Sequence, residues 1–302
     1  MHKVGIIGLG NVGSTLANNL VQSGAVDELV LIDKREDKLL ADKLDLEDSF
    51  AASGHFVTIR TNDYTALSNA EILVISVGDI KAYFGDNPDR WVELEINRKN
   101  IKDIAENLKT TAFSGIIIVI SNPCDAITTL LQKELDYPKE KIFGTGTLLD
   151  TSRLKRQLWQ ETGINPSSLS GYVLGEHGDS QFIAWSTVDE ALLSNIEPIS
   201  FEESVRKGGQ AVFNGKRYTN FAIAKCCQQL IETIFQDSRS IYPVSTYHEQ
   251  FGVYLSYPAI VGRDGIVSTY PLSLSEEEEK KLSLSAQAIL SKVFPVNSQS
   301  KF

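Results

Sequence analysis

Of the four histidines in the 302 residues, His177 has the setting best suited to proton transfer. It sits in Y-V-L-G-E-H-G-D-S, residues 172–180, bracketed by Gly175 and Gly178 and flanked by the acids Glu176 and Asp179. The apolar pair Val173 and Leu174 leads in like a short strand. Histidine is the side chain that both donates and accepts a proton near neutral pH, and one held at a strand exit can serve as a proton shuttle. A turn with a solvated or packed histidine has the same local sequence, so this stretch does not decide alone. Asp150 and Arg153 bear on it. They are three apart where T-S-R-L-K-R-Q-L opens a helix-like run, so they share a face. Capping or a surface ion pair is the bland account of both. The catalytic account separates their tasks. Asp150 orients a histidine and stabilises its protonated form, and Arg153 grips a carboxylate with its planar fork.

Such a trio needs a partner for its chemistry, and the start of the chain offers one. Residues 3–8, K-V-G-I-I-G, read as a buried strand that runs into G-L-G-N-V-G. Gly8 permits a tight turn, Gly10 lets backbone approach a pyrophosphate, and Gly13 lets helix and strand pack closely. Asn11 and Val12 open the helix that follows, so their end of it faces the anion. Leu16, Leu20 and Val21 form its apolar face, and Gly24 ends it. The next strand, residues 28–33, closes on Asp33. A carboxylate there accepts hydrogen bonds from an adenosine ribose and disfavours a 2′-phosphate, which favours NAD over NADP.

The elements that must carry these residues alternate. Apolar, β-branched runs at 71–78 and 114–121 read as buried parallel strands, with shorter strands at 57–60 and 141–144. Helical patterns at 34–54, 92–108 and 125–132 lie between them. After Gly78, residues 79–91 are broken by Gly, Asn and Pro, with Arg90 near the far end. Open α/β sheets place ligand-closing loops at such a point. Asn122, in S-N-P, is either a turn former or a hydrogen-bonding group near a nicotinamide. The expected fold class is α/β: a Rossmann-type parallel sheet over 1–145, then an α+β substrate domain over 146–302. In the second part a helix is expected at 202–212, with a possible kink at Gly208 and Gly209. A turn is expected at 214–217 and a long helix from Thr219. Antiparallel strands at 239–245, 253–262 and 266–270 follow, and a last helix starts at Ser275 and its four glutamates.

Composition excludes several classes. Lys plus Arg is 29 against 39 for Asp plus Glu, a net charge of −10, which argues against nucleic acid or an anionic membrane as partner. Cys124, Cys226 and Cys227 have neither disulfide-framework nor zinc spacing, so no metal is expected. No signal peptide and no apolar run of membrane-spanning length is evident, and the default expectation is a cytoplasmic protein.

Four motifs, G-L-G-N-V-G at 8–13, S-N-P at 121–123, G-T-G-T-L-L-D-T-S-R at 144–153 and G-E-H-G-D-S at 175–180, resemble the L-lactate and malate dehydrogenase superfamily. They occur in the family's order over nearly the whole chain. A-W-S-T-V at 184–188 and L-S-Y-P-A-I-V-G-R-D-G at 255–265 are most similar to its L-2-hydroxyisocaproate dehydrogenase branch. The resemblance implies NAD as cofactor, a small 2-oxo or 2-hydroxy acid as substrate, and a homo-oligomer, dimer or tetramer. It implies His177 as proton donor and acceptor, Asp150 as its partner, Arg153 as carboxylate anchor and Arg90 as a loop residue that polarises the substrate carbonyl. Asn122 then helps place substrate and nicotinamide, Thr219 in Y-T-N lines the substrate pocket, and Asp33 binds ribose. Malate enzymes of this superfamily carry a second arginine in the active loop. Here Lys81 is the only base between Gly78 and Arg90, and Tyr83 and Phe84 add aromatic surface. An apolar substrate side chain is therefore expected, with bulky aliphatic or aromatic 2-oxo acids ahead of pyruvate and oxaloacetate least favoured. A non-catalytic dinucleotide sensor is the reading from another class. It would need Gly8, Gly10, Gly13 and Asp33, but not Asp150, Arg153 and His177 together.

Overall fold

The computed structural model describes residues 1–78, 90–193 and 198–294, the side chains of Arg90, Ile199 and Arg206 excepted. The chain begins with β1 (Lys3–Ile7), α1 (Asn11–Ser23), β2 (Glu28–Ile32), α2 (Glu36–Asp48), α3 (Phe50–Ser53), β3 (Thr58–Thr61) and β4 (Ile72–Ile75). It continues through α4 (Arg90–Lys109), β5 (Ile116–Val119), α5 (Cys124–Leu135), β6 (Ile142–Gly144) and α6 (Leu148–Thr162). Then come β7 (Tyr172–Leu174), β8 (Phe182–Ala184), α7 (Glu190–Leu193), α8 (Pro198–Lys216) and α9 (Phe221–Gln236). The strands β9 (Ser240–His248), β10 (Val253–Gly262) and β11 (Gly265–Thr269) precede α10 (Glu276–Val293).

Six strands form the expected parallel sheet, in the order β6-β5-β4-β1-β2-β3. Their residues are apolar on both faces because helices cover both. Val4, Ile6, Leu29, Leu31, Ile72 and Val74 pack toward α1 and α9, and Ile75, Ile117 and Val119 pack with α4 and α5 residues. The sheet does not stop at β6. Gly144 pairs with Ser245, and β9, β10 and β11 continue it as antiparallel strands to nine in all. The second half of the chain is thus built onto the first by main-chain pairing. The small β7-β8 ladder lies apart and is tied back where Gly175 and Ser256 exchange main-chain bonds of 3.1 and 3.2 Å.

Two expectations about the second half are corrected. No turn occupies 214–216, because α8 runs to Lys216, and the chain reverses at Arg217, which has φ of 65°. The last turn is closed by the Arg217 N–H to the Phe213 carbonyl at 2.7 Å and fixed by Lys216 bonding Asn220. Gly208 and Gly209 do not interrupt α8 either. They back onto α6, where a Cβ on Gly208 would come to 2.4 Å from Arg156 and one on Gly209 to 3.2 Å from the Arg153 Cζ. Close packing replaces the breaker role that their type suggests. The glutamate run behaves as expected: Ser275 and Glu278 form a capping box at the start of α10.

Candidate active site

The site lies at the C-terminal ends of the parallel strands. At the β1–α1 turn Gly8 has φ of 99°, and an added Cβ would strike the Ser76 carbonyl at 2.4 Å. A Cβ on Gly13 would lie 2.0 Å from the Gly8 carbonyl, so glycine there sets how closely α1 meets β1. Gly10 is different: nothing lies within 4 Å of its Cβ position, which opens on the cleft. α1 begins after Gly10 without a side-chain cap, leaving its first-turn amides to a ligand anion beside Asn11 and Val12. Asp33 stands just beyond β2, its Oδ2 accepting the Leu9 N–H at 2.6 Å and its Oδ1 the Arg35 N–H at 2.8 Å. Burial works to raise its pKa. Bonds from Arg35 and Leu9 outweigh that and hold it below the ordinary 3.8. The open Gly10, the uncapped helix and the ionised Asp33 fit a dinucleotide.

The second cluster is placed by threonines. Thr147 Oγ1 donates to the Val173 carbonyl at 2.5 Å, and Thr151 Oγ1 accepts the Val173 N–H at 2.9 Å. Both polar main-chain groups of one β7 residue are thus fixed to α6. This clamp brings the exit of β7 over the first turn of α6, where His177 Nδ1 meets Asp150 Oδ2 at 2.5 Å. Arg153 Nη1 donates to the other oxygen, Oδ1, at 2.7 Å. Asp150 is 2% exposed. Burial alone would raise its pKa, but the His177 and Arg153 charges and their hydrogen bonds hold it well below the usual carboxylate range. An ionised carboxylate only accepts, so the His177 Nδ1 carries hydrogen toward it.

One cleft of about 1560 Å³ joins the two clusters. Gly8, Gly10, Asn11, Val12, Asp33 and Gly78 line its nucleotide side; Asn122, Asp150, Arg153, His177 and Thr219 line the other. Gly13 lies beneath, against Gly8. Arg90 opens α4, but its side chain lies outside the described residues, as do Lys81, Tyr83, Phe84 and the rest of 79–89. Asn122 is held by its carbonyl, which accepts the Asn97 side chain at 2.7 Å from the buried face of α4. Thr219 is steadied by its neighbour Asn220, which donates to Thr15 of α1 at 2.9 Å. Sequence reasoning missed Asn97, whose polar type on an otherwise amphipathic helix was the available signal. It also missed Gly209, Gln210 and Phe213 of α8 as cleft residues. Among the described residues no cluster of His, Cys, Asp and Glu is placed to hold a metal, and no helix is long and apolar enough to cross a membrane.

The fold is that of an NAD-binding dehydrogenase, and the chain belongs to the lactate/malate dehydrogenase family. The family's NAD-binding domain matches residues 2–144, and its alpha/beta C-terminal domain matches residues 147–298. It is an NAD-dependent 2-hydroxyacid dehydrogenase. L-lactate dehydrogenase 1 of Bifidobacterium longum subsp. longum is 35% identical over 305 residues, covering 95% of this chain and 96% of that protein. L-lactate dehydrogenase 2 of Lactobacillus johnsonii is 36% identical over 300 residues, covering 94% and 95%. The structure of minor L-lactate dehydrogenase from Enterococcus mundtii superposes with a TM-score of 0.88 at 26% identity, covering 99% of each chain. A lactate dehydrogenase from a Medee basin deep-sea metagenome library gives 0.89 at 28%, covering 97% of this chain and 98% of the other.

Proposed function

We propose that the chain interconverts pyruvate and (S)-lactate, with His177 as the proton-transferring group. The observation that carries this is the shared carboxylate of Asp150, one oxygen on the His177 ring and the other on Arg153. With Nδ1 committed to Asp150, Nε2 is the nitrogen that gives a proton to the substrate C2 oxygen and takes it back in reverse. Asp150 stabilises the imidazolium and fixes the ring. Arg153 binds the substrate carboxylate beside Gly209, whose missing side chain leaves room next to the guanidinium. Bound NADH supplies the hydride. Gly10 and the first turn of α1 hold its pyrophosphate, Asp33 its adenosine ribose, and Asn122 and Gly78 lie along the nicotinamide end. Thr219 contacts the substrate side, and Arg90 stabilises charge developing on the C2 oxygen. The nucleotide-binding part ends near residue 145; 146–302 supply Asp150, Arg153, His177 and Thr219, while Arg90 and Asn122 reach the substrate from the nucleotide-binding part.

Pyruvate is favoured by the relatives, all of those named above being lactate dehydrogenases. The bulky 2-oxo acids expected from the 79–91 loop rank second on this ground. Reduction of pyruvate, oxaloacetate, 4-methyl-2-oxopentanoate and phenylpyruvate by NADH, compared as kcat/KM, tests the order. Pyruvate is expected to be highest. A value for 4-methyl-2-oxopentanoate about tenfold above it reverses the assignment. The protein is further proposed to work as a homo-oligomer, dimer or tetramer. Leu40 and Leu44, one turn apart on α2, and Phe221 at the start of α9 are large apolar side chains left exposed.

A further inference from the structure

His177 is held by carboxylates on two sides. Asp150 meets its ring, whereas Asp125 meets its main chain. Asp125 is the second residue of α5, immediately behind the S-N-P turn, and is 1% exposed. Its Oδ2 accepts the His177 main-chain N–H at 2.7 Å, and its Oδ1 accepts the Ser256 hydroxyl at 3.2 Å. We propose that Asp125 is a positioning residue for proton transfer, which as a carboxylate fixes the main chain of His177 and thereby the ring against Asp150. The proposal rests on His177 being the proton-transferring group.

Several observations converge on it. His177 follows a two-residue-wide clamp, in which Thr147 and Thr151 fix Val173 and Ser256 fixes Gly175. Beyond Gly175, Asp125 on α5 ties the main chain of His177 itself. Glu176 between them is secured by Ser285, whose hydroxyl accepts the Glu176 N–H at 2.6 Å. Asp125 is also three residues from Asn122, whose carbonyl Asn97 holds. One short turn thus fixes the nicotinamide-side asparagine and the proton-transferring histidine relative to each other.

An ionised Asp125 is costly here. Burial foremost, and then the neighbouring Glu176, raise its pKa from 3.8 to about 6. The groups facing it are Cys124 on its own helix, Glu176 and His177 beyond β7, and the hydroxyls of Ser245 on β9 and Ser256 on β10. The first turn of α5 favours its negative charge, and a charged acceptor binds an N–H roughly twice as strongly as a neutral one. Because the folded value lies above the unfolded one, ionisation of Asp125 removes stability as pH rises through that interval. Below pH about 6 Asp125 takes up a proton, and its hold on His177 weakens. Loss of that hold on the acid side predicts a falling acid limb in the reduction rate.

The test uses the full chain. Asp125→Asn is expected to lower kcat for pyruvate reduction at least about tenfold at pH 7.5 and to remove the acid limb near pH 6. NADH affinity, by fluorescence titration, stays within about twofold, and the melting temperature at pH 8 does not fall. Wild-type kcat with the acid limb intact overturns the proposal, as does a loss of kcat explained by a lowered melting temperature. Should Asp125→Asn not fold, Ser256→Ala removes the hydroxyl donor to Oδ1 and leaves the His177 bond. The acid limb then moves to higher pH, and an unmoved limb overturns the proposal. His177→Ala separates the two ideas: if it retains turnover, the role of His177 fails first.

Discussion

An imidazole bonded at Nδ1 to an ionised carboxylate has its tautomer decided, and His177 owes that to Asp150. The buried acid is in turn kept charged by the very groups it orients, so the three residues act as a unit rather than as separate contributions. His177→Ala is expected to lower kcat/KM for pyruvate reduction by about a thousandfold while NADH affinity stays within about twofold. Stopped-flow turnover and fluorescence titration of the same preparation check both halves. At this scale the sequence was informative where several residues reinforced one another. His177 was equivocal alone, and Asp150 with Arg153 made it a candidate. Asp125 was hidden because an acid in a helix's first turn reads as a dipole partner, and its tie to His177 spans 52 positions. Nothing local signals such a bond.

At the level of elements, the β1–α1 junction was the most legible, since each of its glycines answers a steric demand that the structure contains. Gly13→Ala would place a Cβ 2.0 Å from the Gly8 carbonyl, and α1 must retreat from β1. Overpacking of this kind costs about 1–3 kcal/mol. Because α1 carries the anion-facing amides, NADH affinity is expected to fall about tenfold or more. An unchanged dissociation constant would show that the seating of α1 does not matter to binding. α8 was the least legible element. Its two glycines and N-G-K-R end suggest breaks, yet the packing of Gly208 and Gly209 against α6 arginines overrides that propensity. The strands of the parallel sheet were readable because burial on both faces demands uninterrupted apolar runs.

For the whole molecule, the order of motifs indicated two parts, and the family matches lie on residues 2–144 and 147–298. What the sequence did not disclose is that one sheet runs through both, because the Gly144–Ser245 pairing joins residues 101 positions apart. Assembly belongs to this scale as well. If Leu40 and Leu44 are covered by a second copy, sedimentation at micromolar protein gives a dimer or tetramer, and Leu44→Asp lowers the mass. A monomer in the wild type would refute assembly through this face.

The chain leaves the sheet at Gly146 with φ of 51°, where a Cβ would meet Ser256 Oγ at 2.4 Å and the Ser245 nitrogen at 2.6 Å. No slack exists between the last parallel strand and the helix that carries Asp150 and Arg153. The molecule is therefore a fixed-gauge caliper. On the roles proposed for Gly10 and Arg153, the span between them is set by the fold rather than by the acid that binds. If Arg153 anchors the acid's carboxylate, acids of different bulk meet the same span, and their discrimination is expected to come from side chains elsewhere in the cleft.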